Sequence, residues 1–235
     1  MVARSQIESV EGLAVTGQAI FAGASPLASA LRRTRELALH RTEIRFFARE
    51  GLPPECQSRV EGLQCWSVSS PAVLRNLPGS EELARTRFAR GDGAYVATTA
   101  DEVVAVTWVR TEPQLIWDVR TELMPAPGQA VIYGVYTAPS QRQKLVATAL
   151  EGSVAESLSR QGISCCLRFV TSDNHAGLAA AARSGYTEFA RVTFLRALGL
   201  KIHLARWANG SRKARLGLPW SKRTLRLSYP VSGGG

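Results

Sequence analysis

The sequence predicts an α/β (α+β) fold: a mixed, mostly antiparallel central sheet with helices on both faces. Three observations lead there. Short apolar runs punctuated by Gly, Pro and Asp follow one another from Ala94 to Thr137, which reads as an antiparallel succession of strands. A long helical period then separates Thr137 from the apolar run Cys165–Thr171, and a strand–helix–strand unit closes as a parallel, right-handed crossover. The 235 residues are 45% hydrophobic and 20% charged, a globular composition, and no run of eighteen apolar residues marks a membrane-spanning helix.

The elements are read in chain order. Residues 12–31 are fairly apolar, but Glu8 and Glu11 stand where a secretory signal needs positive charge, and Gly17-Gln18 and Ser25-Pro26 interrupt the run. Residues 26–42 predict a helix, because Leu27, Ala30, Leu31, Leu37 and Ala38 recur near a 3.6-residue period while Arg32, Arg33 and Arg35 lie mainly off that stripe. Strands are expected over 43–49 and 63–68. Ser70-Pro71 opens a helix with a capping residue and a first-turn proline. A further helix ends at Arg87–Gly93 on its glycines. Strands 94–99 and 103–110 form a hairpin over Ala100-Asp101-Glu102. Residues 115–123 are read as a single strand, ended by Pro125 and Pro127. Strand 130–137 stops at Ala138-Pro139. A helix follows from Ser140 to Gln161, with Leu145, Ala149, Val154 and Leu158 on one stripe and Gly162 as its stop. Residues 165–171 are apolar throughout, as in a central strand. A short helix over 174–184 and a strand over 186–195 complete the series.

Charge is unevenly distributed. The formal net charge is +10, yet residues 201–235 hold eight Lys or Arg and no Asp or Glu. The chain is therefore divided into an N-terminal extension (1–79) that extends the sheet or caps it, a central domain (80–200) and a basic tail (201–235). Leading into the tail, Leu200, Leu204 and Trp207 share a helical stripe broken at Asn209-Gly210. Such a segment either packs on the domain with its charges solvated, or meets an anionic membrane surface or acidic partner through residues 201–227; nucleic acid is the less favoured partner. Cys56, Cys65, Cys165 and Cys166 have no metal-ligand spacing and read as free thiols of a reducing cytoplasm.

Two segments carry a family resemblance. Val135-Tyr-Thr-Ala-Pro-Ser-Gln-Arg-Gln-Lys-Leu-Val-Ala resembles the strand–turn–helix of the GNAT N-acyltransferases, Val-x-Pro followed by Arg/Gln-x-x-Gly-x-Gly/Ala. Thr137 takes the valine place and Pro139 the proline place; Arg142, Leu145 and Ala147 take the Arg/Gln place and the two glycine places. Asn174-His-Ala-Gly-Leu-Ala-Ala-Ala-Ala-Arg-Ser-Gly-Tyr is similar to the family's Asn-x-x-Ala-x-x-x-Tyr-x-Lys-x-Gly-Phe, with Arg183, Gly185 and Tyr186 at its last three marked positions. Leu145 and Gln143 are bulky where the family favours glycine, and Ala181 replaces its tyrosine acid.

The resemblance implies acyl transfer from acetyl-CoA or another acyl-CoA, used as co-substrate, to a small-molecule or peptide amine. It implies direct attack in a ternary complex without a covalent enzyme intermediate. It places the pantetheine arm beside Val135 and Thr137, between two parted parallel strands. The diphosphate falls at Gln141, Arg142, Gln143, Lys144, Leu145, Val146 and Ala147, and Asn174 supports the thiol end or the splay. Physical chemistry agrees: the first amides of a helix are unpaired and favour an anion, and cations in a first turn oppose the helix dipole unless an anion binds. Tyr133 is the candidate catalytic group, as acid or substrate-orienting residue, with Glu122 and His175 weaker candidates for a base. The rival reading is a GNAT-like scaffold that binds or regulates without catalysis, or a peripheral protein acting through its tail.

Overall fold

The computed structural model describes residues 40–53, 60–75, 77, 80–100, 102–197, 200–217 and 224–230. The predicted helix at 26–42 lies outside these residues except at its end, where His40–Glu50 is instead the first strand, β1. The remaining elements are β2 (Gln64–Val68), α1 (Ser80–Ala89), β3 (Gly93–Thr99), β4 (Glu102–Arg110), β5 (Gln114–Ile116), β6 (Thr121–Leu123), β7 (Gln129–Thr137), α2 (Val146–Arg160), β8 (Cys165–Thr171), α3 (His175–Arg183), β9 (Thr187–Ala197), β10 (Leu200–Trp207), β11 (Arg212–Gly217) and β12 (Leu225–Leu227).

Nine strands form one sheet in the order β11-β10-β9-β1-β8-β7-β4-β3-β2. Among the described pairings of this sheet, β7 and β8 alone run parallel, as a crossover through α2 requires. β1 lies in the middle of this sheet, antiparallel to both β8 and β9, with Phe46 opposite Phe169 on one side and Ala190 on the other. The sheet separates two cores. On one face Val146, Leu150, Val154 and Leu158 of α2 pack with Ile132, Cys166 and Ala181. On the other, Phe46, Trp108 and Tyr133 pack with Ala84 of α1 and with Leu123 and Leu225. Cys165 and Cys166 consequently enter opposite cores, since neighbouring strand residues face opposite ways.

Four sequence expectations change. Residues 115–123 are two short strands joined by a 3-10 turn, because Arg120 takes a left-handed φ of 45° and reverses the chain; with β12 they form a separate three-stranded sheet. The helix expected from Ser70 is a single 3-10 turn, Pro71–Leu74. The helix expected from Ser140 begins at Val146, after a 3-10 turn and a left-handed stretch. Its buried stripe starts at Val146, and Leu145 is its N-cap rather than part of that stripe. The helical stripe in the tail is also overturned. Residues 200–217 are the hairpin β10–β11, which turns at Asn209-Gly210 with Gly210 at φ 83°, and His203 and Ala205 point into the core. No helix among the described residues is long and apolar enough to cross a membrane.

Candidate active site

The site begins where β7 and β8 part. Their pairing runs only from Gln129↔Cys165 to Ile132↔Arg168, although β7 continues to Thr137 and β8 to Thr171. A bulge on β7 accounts for the separation. Trp108 of β4 faces Tyr133 and Val106 faces Tyr136, so Gly134 and Val135 together stand against Thr107. Gly134 takes φ 59°, a conformation that glycine adopts without strain. Such a bulge bends its strand, and β7 turns from fully buried at Ile132 to half-buried from Gly134 to Thr137. Val135 and Thr137 both lie on this stretch.

Beyond the gap comes the turn into α2. Gln143 and Leu145 adopt φ 64° and 63°. The backbone thus holds a left-handed shape in which glycine is the low-strain residue, with longer side chains in place. The first helical bond runs from the Ala149 amide to the Leu145 carbonyl, so the amides of Val146, Ala147 and Thr148 precede every i→i−4 acceptor, and Leu145 supplies no side-chain cap. Arg142 and Lys144 are exposed beside them. The Arg142 Nε donates to the Thr137 carbonyl at 3.2 Å, and the Lys144 Nζ to Gln141 Oε1 at 3.1 Å. Past the free end of β8, Asn174 caps α3 by accepting the Gly177 amide at 2.8 Å. All ten residues assigned above to cofactor binding therefore stand on segments at the C-terminal end of the parallel pair.

Tyr133 faces the other core. Its hydroxyl donates to Asp92 Oδ2 at 2.5 Å and accepts from Arg90 Nη2 at 3.0 Å. The Asp92 side chain is fully shielded and also receives Arg90 and Arg110 Nη1, each at 2.6 Å. Burial works to raise the Asp92 carboxyl, but the bonds from Tyr133, Arg110 and Arg90 outweigh it and hold it below the usual carboxylate range. Burial first, and the bond to Asp92 second, push the Tyr133 phenol well above its ordinary value. Above this knot, the Arg87 guanidinium lies over the Trp108 ring at 4.9 Å and the Tyr133 ring at 5.1 Å.

Arg87, Arg90, Asp92 and Arg110 escape sequence reasoning because the register Gly93↔Val109 brings them together across the β3–β4 hairpin. One signal was available: Arg110 closes a mostly apolar strand. Glu122 lies in the small sheet and accepts Arg226 at 3.1 Å. His175 is exposed at the first position of α3, and Ala181 is wholly buried in the α2-side core. Burial drives the Cys165 thiol up to about 12 and raises Cys166 and Cys65 as well, so none of the three offers a thiolate at neutral pH.

The family model for the acetyltransferase (GNAT) family matches residues 61–186, more than half of the 235-residue chain. The chain belongs to the GNAT family. Among solved structures, the GNAT chain is similar to a GCN5-related N-acetyltransferase from Sphaerobacter thermophilus, with 18% identity, 79% of this chain and 56% of that chain covered, and a TM-score of 0.48. An acetyltransferase of the GNAT family from Colwellia psychrerythraea matches at 13% identity over 66% of this chain and 56% of that one, TM-score 0.46. A tandem GNAT protein of the clavulanic acid biosynthesis pathway matches at 18% identity over 77% and 60%, TM-score 0.47. The GNAT chain thus spans less than two thirds of each of these proteins. No curated protein matches it.

Proposed function

We propose that this GNAT chain transfers an acyl group, acetyl or another, from acyl-CoA to an amine by direct attack in a ternary complex. The observation that carries the reading is the parting of β7 and β8 beyond Ile132 and Arg168, beside the uncapped amides of α2. The residues present fit the co-substrate. Val135 and Thr137 would hold the pantetheine arm, and the amides of Val146 and Ala147 with Arg142 and Lys144 would hold the diphosphate. Gln141, Gln143 and Leu145 shape the turn that presents those amides, and Asn174 fixes the far wall by capping α3.

In the reaction the amine nitrogen forms an amide with the acyl carbon, the thioester C–S bond breaks, the thiolate takes a proton, and the nitrogen loses one. The chain's contribution is to hold the two reactants in line and exclude water, which accounts for large rate factors without a dedicated base. Tyr133, whose hydroxyl donates to Asp92, serves as a positioning residue that supports Arg87 at the bulge.

A second reading, binding without turnover, is favoured by one observation: buried Ala181 stands in the place of the family's tyrosine acid. Calorimetric titration with acetyl-CoA, followed by thiol-release assays over a panel of amines, separates the two. Saturable binding with turnover is expected. Saturable binding without turnover on any amine supports the scaffold, and no binding overturns both.

A further inference from the structure

Arg87 leaves the last turn of α1 and lies against the backbone of Gly134, where an added Cβ would stand 2.9 Å from its Nη1. Its two arginine neighbours are accounted for, since Arg90 and Arg110 both bond Asp92. Both Asp92 oxygens are occupied by those arginines and by Tyr133. Two of the three clustered guanidiniums therefore take up the one carboxylate, and Arg87 has no ion pair with a carboxylate among the described residues. The rings of Trp108 and Tyr133 satisfy the face of its guanidinium plane, but ring faces do not accept the in-plane N–H groups. Burial draws its pKa down, yet a guanidinium stays protonated at neutral pH. A partly desolvated cation whose in-plane donors bond no acceptor among the described residues is a receptor for a planar anion.

Its position says which anion. The turn into α2 occupies one face of the gap between β7 and β8, and Val146 belongs to the core on that side. Arg87 lies on the opposite face with Trp108 and Tyr133, over the bulge where the strands separate. An amine must approach the acyl carbon from the face that the co-substrate leaves open. Resting on the acyltransfer reading, we propose that Arg87 receives a carboxylate of the acceptor, so that the preferred acceptors are amines bearing an acid group close to the reacting nitrogen, such as amino acids. A phosphate of the co-substrate offers the same anionic chemistry, and the test distinguishes the two.

Acceptors are compared in pairs that differ only by the carboxylate: phenylalanine with phenethylamine, histidine with histamine, ornithine with putrescine. Thiol release from acetyl-CoA is followed for the native chain and for Arg87→Gln and Arg87→Lys. The native chain favours the acid of each pair by about 10- to 100-fold in kcat/KM, the range of a charge-assisted hydrogen bond. Arg87→Gln abolishes that preference, Arg87→Lys keeps part of it, and the calorimetric affinity for acetyl-CoA changes by less than about twofold, since the cation lies away from the diphosphate turn. Equal or better use of the decarboxylated amines overturns the proposal, as does an Arg87→Gln effect confined to acetyl-CoA affinity.

Should no pair turn over, the Nε–Hε NMR signal of Arg87, identified by its loss in Arg87→Gln, is titrated with each pair in the presence of CoA. A shift with the amino acids alone supports the proposal, and no shift overturns it. Failure of acetyl-CoA to bind counts against the acyltransfer reading itself, while the NMR titration still decides the role of Arg87.

Discussion

Replacing Asp92 by asparagine removes one negative charge from a fully shielded position on which three donors converge. The cost follows from the exposure of each donor. The Arg110 side chain is 16% exposed and cannot recover its bond from water, a loss of about 1.5–3 kcal/mol. The Tyr133 hydroxyl loses its charged acceptor, about 1 kcal/mol. The Arg90 side chain, 44% exposed, swings into solvent at a cost of less than about 1 kcal/mol. Asparagine keeps one carbonyl acceptor for these donors, so the net expectation is about 3 kcal/mol, or a fall in Tm of roughly 6–12 °C for a chain of this size.

The pH dependence sharpens the test. Asp92 has a folded pKa below its ordinary 3.8, so its stabilisation is fully present above the unfolded value and is lost as pH falls through the folded one. Urea melts followed by circular dichroism should therefore show a wide gap between the native chain and Asp92→Asn at pH 7, narrowing below about pH 4. A gap under about 1 kcal/mol at pH 7, or one that persists unchanged at pH 3, would refute the reasoning.

Two further outcomes follow from the fold and the turn. Leu145→Gly relieves about 1 kcal/mol of left-handed strain and opens the backbone to a diphosphate, so acetyl-CoA should bind at least about threefold tighter by calorimetry; unchanged affinity would count against this turn as the phosphate site. A chain begun at Gly51 loses Ile44 and Phe46, 1% and 0% exposed, together with Phe47. Each buried side chain of this kind is worth about 1.5–3 kcal/mol, and the whole stability of a domain is about 5–15 kcal/mol, so the shortened chain should show no cooperative melt. A sharp transition in that chain would show that β1 is dispensable.

The sequence made the central strands and the strand stop at Ala138-Pro139 legible because their cues are local. Apolar runs such as Val103–Val109, glycine stops and the X-Pro break all act within a few residues. In the tail, Leu200, Leu204 and Trp207 fit a helical spacing, while Asn209-Gly210 serves equally as a helix break and as a hairpin turn signal. The alternation of His203, Ala205 and Trp207 toward the core outweighs that spacing once β9 offers an edge to pair with. Asp92 and its arginines stayed hidden for a different reason. Asp92 and Arg110 are 18 residues apart and meet only when the β3–β4 register is set. The central place of β1 is non-local as well, and the family match beginning at residue 61 passes it by.

The seat of β1 also shapes how the molecule is made. Its partners are β8, from Cys165, and β9, which ends at Ala197, so both leave the ribosome long after it. At about 5–20 residues per second this strand, with Ile44, Phe46 and Phe47, waits roughly 6–30 s for its neighbours. A nascent chain carrying an unclaimed apolar strand for that time is a natural client for a holding chaperone. β1, the first strand among the described residues, can pair on both sides only after β8 and β9 have been made.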